Sequence, residues 1–425
     1  MHLYSPFAAI AVSTLACSIA SADNIRLFPS PTSDAHATLW DIDALATSPA
    51  IYPVPESVLP TADGITPIFF DSATYQNNPT RVFAWLGLPT QATLSTTVPG
   101  IVLVHGGGGT AYRDWVKLWN DRGYAAIALD TCGAMPVTAD GMRLKSTRHT
   151  HSGAPFSGGG FSRALDPVED QWPFHAVTAI IRAHSLLRAQ PGVDPERIGI
   201  TGVSWGGILT EIAASADTRF KFAVPVYGCG FLGENSYWLE TDFQKIPPAT
   251  VERWIGLWDP SQHLARARVP FFFVNGTNDK HFRPDSWRKT IRLTAASGTP
   301  VARSLHVRMP HDHPPAGDPR EITVFADSLL RGGPPLAKIT GQGRDGVSVW
   351  ATWRAHATTP VERAELVYTT DSGDWMNRHW STAPAALRDS RAEASVPAEA
   401  TAFYLNLHDR RGCIVSTEHW DVSAP

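Results

Sequence analysis

"RIGITGVSWGGILTEIAASAD", residues 197–217, passes from apolar, strand-like residues through a serine boxed by glycines into an amphipathic, helix-like run. In its centre, G-V-S-W-G, the chain must reverse from strand to helix within a few residues. Gly202 and Gly206 have no side chain to clash in that reversal, and Ser204 at the apex is pushed into the open above the carboxyl edge of a sheet. The backbone N–H of Trp205, at the helix start, points to where an oxyanion would form. A lone G-x-S-x-G is common by chance; the strand and helix around it make Ser204 a candidate nucleophile.

The same alternation continues on both sides. "PGIVLVHGGGG", "YAAIALD", "FKFAVPVYG" and "VPFFFVNG" are continuous apolar runs, separated by helical patterns such as "YRDWVKLWNDRG", "FHAVTAIIRAHSLLRAQ" and "DSWRKTIRLTAAS". Such alternation predicts a mostly parallel, doubly wound α/β sheet covered on both faces. "ITPIFFDSATY" and "TRVFAWLGLP", split by the turn signal "QNNP", read as an antiparallel pair ahead of it. After "GGPPLAKI" the helical periods stop. "GVSVWATWRA", "AELVYTT", "EASVPA" and "TAFYLNLHD" predict a small all-β sandwich. The expected organisation is a leader (1–22), an extended arm (23–62), an α/β domain (63–336) and a β-sandwich (337–425).

Composition narrows the function. The chain has 425 residues, 43% of them hydrophobic, and its 33 glycines and 34 prolines fall well below the roughly 25–30% of a low-complexity chain. A net charge of −4 without a long basic run offers nothing to steer nucleic acid or an anionic membrane, so neither is an expected partner. The start, with an apolar stretch from about Pro6 to Ala20 followed by Ala20-Ser21-Ala22, reads as a secretory signal cut after Ala22, which makes the protein secreted or periplasmic. Of the three remaining cysteines, Cys132 and Cys229 follow strands that are not neighbours in the expected sheet, and no bridge between them is expected. There is no C-x-x-C and no H-E-x-x-H, hence no expected metal site.

A nucleophilic serine needs a base and an orienting acid. Asp279 in "TNDKHF" follows the strand "PFFFVNG" on the same sheet edge as Ser204. "MPHDHPPAG" follows the next strand and offers His311 and His313. His313 is favoured as the base, because it lies deeper in the loop and the two prolines after it would hold it clear of the strand. The remaining histidine is expected to hydrogen-bond within the loop. "VLVHGGGGT" supplies the second oxyanion donor, Gly107, with His105 bracing that loop. Asp285 and Asp259 read as helix caps. Trp172, Trp238, Trp254 and Trp258 lie in or beside the insertions, and their faces suit stacking on a sugar; Trp172 and Trp258 are the selected candidate substrate contacts, against a competing reading of ordinary packing.

With "HGGGG", "GVSWGG", "GTND" and "MPHDH" in this order, residues 63–333 resemble the α/β-hydrolase superfamily, in particular its acetyl xylan esterase and dienelactone hydrolase branches and the prolyl oligopeptidase catalytic domain. The resemblance implies a Ser204–His313–Asp279 triad with oxyanion donors at Gly107 and Trp205, no cofactor, and an ester substrate, with acylated carbohydrate in view. Dienelactone hydrolases use a cysteine where Ser204 stands. A prolyl oligopeptidase would carry a propeller ahead of this domain, where only an arm stands in this sequence. A serine peptidase is therefore the second expectation, and a non-catalytic carbohydrate-binding protein on a hydrolase scaffold the third.

Overall fold

The computed structural model describes residues 39–136, 148–313 and 315–422. The expected leader, and the arm up to residue 38, lie outside the described residues. The apolar runs build a nine-stranded sheet from β1 (Ile51–Pro53), β2 (Ile65–Asp71), β3 (Arg81–Gly87), β4 (Val98–Val104), β5 (Ala125–Leu129), β6 (Val193–Val203), β7 (Ala223–Val226), β8 (Phe271–Gly276) and β9 (Val301–His306). Its spatial order is β1-β2-β3-β5-β4-β6-β7-β8-β9. The pairs from β1 to β5 are antiparallel, including the expected β2–β3 pair, and those from β5 to β9 are parallel. Every residue of β4, β5, β7 and β8 is buried, which is why these strands read as unbroken apolar runs rather than alternating ones.

The helices are α1 (Ile42–Leu45), α2 (Arg113–Asp121), α3 (Trp172–Arg188), α4 (Trp205–Ala216), α5 (Tyr237–Glu240), α6 (Pro248–Trp258), α7 (Pro284–Ala296) and α8 (Arg320–Leu330). Among the described residues no helix is long and apolar enough to cross a membrane. The parallel strands bring the loops after β4, β6, β8 and β9 to one carboxyl edge, where ligands of open α/β sheets bind.

Two local expectations change. The arm is not simply extended over residues 39–62: Asp41 caps α1 through the Ala44 N–H at 3.0 Å, and β1 joins the sheet with Ile51 opposite Phe70. Elements of three or four residues are too short to show a period. Asp285 does not cap α7, because the helix already begins at Pro284; its carboxylate instead accepts from Asn235 Nδ2 at 2.7 Å. Asp259 does cap, accepting from Ser261 N–H at 2.9 Å.

The C-terminal unit is antiparallel throughout: β10 (Lys338–Asp345), β11 (Ser348–Arg354), β12 (Val361–Thr369), β13 (Ser381–Arg388), β14 (Arg391–Ser395), β15 (Ala402–Asp409), β16 (Ile414–Ser416) and β17 (Trp420–Asp421). β13 pairs with β12 over 381–385 and with β14 over 386–388, so one strand links the two layers and nearly closes them into a barrel. Val349, Ala351, Leu366, Phe403 and Leu405 fill the space between. β10 has Ile339 as its one large apolar residue and β13 is alanine-rich and interrupted by Pro384, so neither reads as a strand. β13 turns Ala383, Ala385 and Leu387 inward, and Gly343 of β10 leaves room for the Trp350 ring.

The C-terminal unit has its own core but packs on the larger one, since Val367, Tyr404, Cys413 and Val415 join the larger unit's apolar cluster. Tyr404 donates to the Leu305 carbonyl at 3.0 Å, and Leu305 N–H donates to Ser416 Oγ at 2.8 Å.

Candidate active site

Ser204 sits between β6 and α4 with φ 61° and ψ −120°, a conformation that costs a non-glycine residue about 1–3 kcal/mol and persists only where its surroundings enforce it. They do so here. Ser204 N–H donates to Val226 O at 2.8 Å, and Ser204 O accepts from Gly207 N–H at 2.8 Å. A Cβ on Gly202 would overlap the Gly206 carbonyl, and one on Gly206 the Val104 carbonyl, so both glycines are required by close approach. As the first helical residue, Trp205 has a backbone N–H without an acceptor inside α4.

His311 Nε2 lies 2.9 Å from Ser204 Oγ, and His311 Nδ1 is hydrogen-bonded to Asp279 Oδ2. Asp279 is buried, and its other oxygen accepts from His281 N–H at 2.8 Å and Phe282 N–H at 2.7 Å. The hydrogen bond to Asp279 fixes Nδ1 as the donor nitrogen, leaving Nε2 free to accept the serine proton. The Tyr227 ring stacks on His311 at 4.4 Å, and its hydroxyl donates to Pro310 O at 2.5 Å, clamping the loop in front of the histidine.

His311, and not His313 as expected, is therefore the histidine that the structure places between Ser204 and Asp279. Asp312 N–H donates to Pro310 O at 2.9 Å, closing a tight turn centred on His311. His313 packs flat on Tyr112 at 4.3 Å and edge-on to Trp115 at 4.7 Å, away from Ser204. Burial, followed by the neighbouring His105, holds its imidazole down at about 4.

Thr131 N–H donates to His105 Nε2 at 2.9 Å, which puts the His105 proton on Nδ1, donating to Gly106 O at 2.7 Å. Gly109 N–H also points at Gly106 O. With that carbonyl turned towards His105, the N–H of Gly107 on the far side of the same trans peptide faces the opposite way. A Cβ on Gly106 would lie 3.7 Å from Ser204 Oγ, so this glycine loop adjoins Ser204.

Packing, not substrate contact, explains the insertion tryptophans, and the candidate contacts Trp172 and Trp258 are corrected accordingly. Trp172 is 2% exposed and donates to Thr131 O at 2.6 Å; Trp258 is fully buried and donates to Gln171 Oε1 at 2.7 Å. Trp172, Trp238 and Trp254, with Phe156 and Phe161, surround the Trp205 indole at centroid distances of 4.8–6.1 Å. The helix that follows Ser204 is thus braced by an aromatic box. Nearer the site, His281 lies 4.6 Å from His311 and 5.0 Å from the exposed Tyr237, and burial holds its imidazole down at about 4. His281, Tyr227 and Tyr237 carry no local sequence signal, because only the folded chain brings them to His311. The ligand atoms of Asp279, His281 and His311 lie within 4.8 Å of one another, but the Asp279–His311 hydrogen bond already uses two of these groups.

Glu211, two turns into α4, is fully buried, and neither carboxyl oxygen meets a hydrogen-bond partner among the described residues. Burial first, then the nearby Asp259, pushes its carboxyl well above the usual 4.5. The folded state therefore holds the proton, whereas the unfolded chain loses it above about pH 4.5. Stability from this group is complete below that pH and is lost as pH rises towards the raised value, by up to about 1.4 kcal/mol per pH unit. Glu211→Gln should melt close to wild type near pH 4 and several degrees above it at pH 8. Equal melting shifts at both pH values would refute a protonated Glu211.

Residues 153–327, about two-fifths of the chain, match the family model described as the prolyl oligopeptidase family. The chain is 24% identical over 213 residues to the uncharacterized peptidase YuxL of Bacillus subtilis (strain 168), covering 47% of this chain and 28% of that protein. It is 21% identical over 258 residues to dipeptidyl-peptidase 5 of Aspergillus oryzae (strain ATCC 42149 / RIB 40), covering 57% and 32%. The chain thus spans about a third or less of the length of these curated relatives. An acetyl xylan esterase from Paenibacillus sp. R4 superposes with a TM-score of 0.54 at 21% identity, over 71% of this chain and 97% of that one. Sheet order, nucleophile elbow and structural likeness agree that the chain has the α/β-hydrolase fold with a separate C-terminal antiparallel β domain.

Proposed function

We propose that this chain is an exported serine hydrolase that cleaves carboxylic esters through an acyl-enzyme on Ser204. The observation that carries the reading is the continuous hydrogen-bonded relay from Asp279 through His311 to Ser204 Oγ. His311 Nε2 takes the serine proton as Oγ attacks the acyl carbon, and Asp279 stabilises the imidazolium. The Trp205 and Gly107 N–H groups hold the tetrahedral oxyanion. His311 then protonates the departing alcohol, and water activated by the same histidine releases the acid. Side chains and backbone N–H groups carry every step, so the scheme uses no metal or organic cofactor.

An ester makes a smaller demand on this relay than a peptide bond, since an alkoxide leaves more readily than an amine anion. An acylated carbohydrate is the finer reading of the alcohol part, supported by the rim of the site, where Tyr237 is 38% exposed beside the half-buried His281. Export rests on the leader sequence, and N-terminal sequencing of the secreted chain should begin at Asp23. Peptide-bond cleavage is the second reading, favoured by the prolyl oligopeptidase match over residues 153–327.

Purified protein assayed on p-nitrophenyl acyl esters, acetylated sugars, feruloyl esters and aminoacyl p-nitroanilides separates the two. The ester reading expects kcat/KM for an acetyl ester to exceed that for any anilide by about a hundredfold or more. The reverse order makes the protein a peptidase. Folded protein that neither turns over nor labels with a fluorophosphonate points to a binding protein.

A further inference from the structure

We infer that the C-terminal β domain is a positioning element of the active site, with Asn278 as the latch that fixes the loop carrying Asp279. Asn278 immediately precedes the acid. Its Oδ1 accepts from Thr277 Oγ1 at 2.7 Å, which orients the amide so that Nδ2 points outward as the donor. Nδ2 meets three carbonyls of one turn of the C-terminal domain: Arg378 at 2.7 Å, Met376 at 3.1 Å and Trp375 at 3.2 Å.

The same turn holds the loop from the other side. Arg283, four residues after Asp279 and with its side chain 5% exposed, is paired with Asp374, and its other terminal nitrogen lies 2.8 Å from Glu240 Oε2. Residues 374–378 therefore bracket the segment 278–283. The turn is rigid in its own right: Trp375 is buried, and the Arg378 guanidinium lies 3.9 Å over its ring. The bracketed segment contains every donor to Asp279 Oδ1, namely the His281 and Phe282 N–H groups. Releasing the latch lets Asp279 drift from His311 Nδ1, and a misplacement of about 1 Å in a catalytic unit costs on the order of 10²-fold in rate.

The inference rests on the reading of Ser204, His311 and Asp279 as the reacting group. Its test uses the full chain, with p-nitrophenyl acetate turnover and the rate of fluorophosphonate labelling of Ser204. Asn278→Ala should lower kcat about tenfold or more with KM nearly unchanged. Asn278→Asp, of the same shape but without the donor, should be at least as slow, because a carboxylate would face three carbonyls. Asp374→Asn, on the other side of the bracket, should lower kcat by the same route and keeps the test decisive if the Asn278 variants fold poorly. In an Asp279→Asn background, Asn278→Ala should add no further loss in labelling rate, because the latch acts only through the acid.

An Asn278→Asp variant as fast as wild type, or equal losses in both backgrounds, overturns the inference. Wild-type protein that neither labels nor turns over overturns instead the active-site reading beneath it.

Discussion

Ser204→Ala should lose at least about 10⁴-fold in ester turnover while keeping its fold. Without Oγ no acyl-enzyme can form, and what remains is the contribution of bound substrate and oxyanion donors, typically about 10³–10⁴ above water. Fluorophosphonate labelling should vanish with it. Stability should change little, because alanine at φ 61° carries the same backbone strain as serine and no cavity of consequence is opened. The check is steady-state turnover of purified variant beside its thermal melting curve. Turnover retained within tenfold of wild type would mean that Ser204 is not the nucleophile, whatever its geometry.

The second large effect separates the two histidines. His311→Ala removes the group between Ser204 Oγ and Asp279 and should lose on the order of 10⁴-fold or more in kcat. His313→Ala should keep activity within about tenfold, yet lose about 1–3 kcal/mol of stability as its stack on Tyr112 and Trp115 disappears. One variant is dead and stable, the other active and fragile. Measuring kcat and melting temperature on both checks this, and a dead His313→Ala with an active His311→Ala would reverse the assignment of the base.

The origin of the histidine error is physical. Both rings lie in one five-residue stretch after β9, and either could reach the sheet edge by chain length alone. Which one does so depends on Tyr227, 83 residues away, whose hydroxyl holds Pro310 and whose ring covers His311, and on Tyr112 and Trp115, which give His313 another place to pack. The choice of Trp172 and Trp258 as substrate contacts, over the packing reading, fails for the same kind of reason. An aromatic ring in an insertion suits a sugar or a core equally well, and the choice falls to partners distant in sequence: Thr131 for Trp172, Gln171 for Trp258 and the Trp205 indole for Trp238 and Trp254.

By itself the sequence determined what local physics can encode. Unbroken apolar runs separated by helical periods specify a covered parallel sheet, because a strand buried on both faces has no polar side to show. Gly202 and Gly206 around Ser204 specify the elbow, because only glycine tolerates the close carbonyls of Gly206 and Val104. The chain order of Ser204, Asp279 and the histidine loop follows from strand succession, since parallel strands deliver every such loop to one edge. Only the tertiary structure decided which histidine faces the serine, that the insertion tryptophans are buried, and that the C-terminal domain grips the acid loop through Asn278 and Arg283. Each of these is a choice between side chains equally suited by type, settled by contacts tens to hundreds of residues apart, and no local pattern records such contacts.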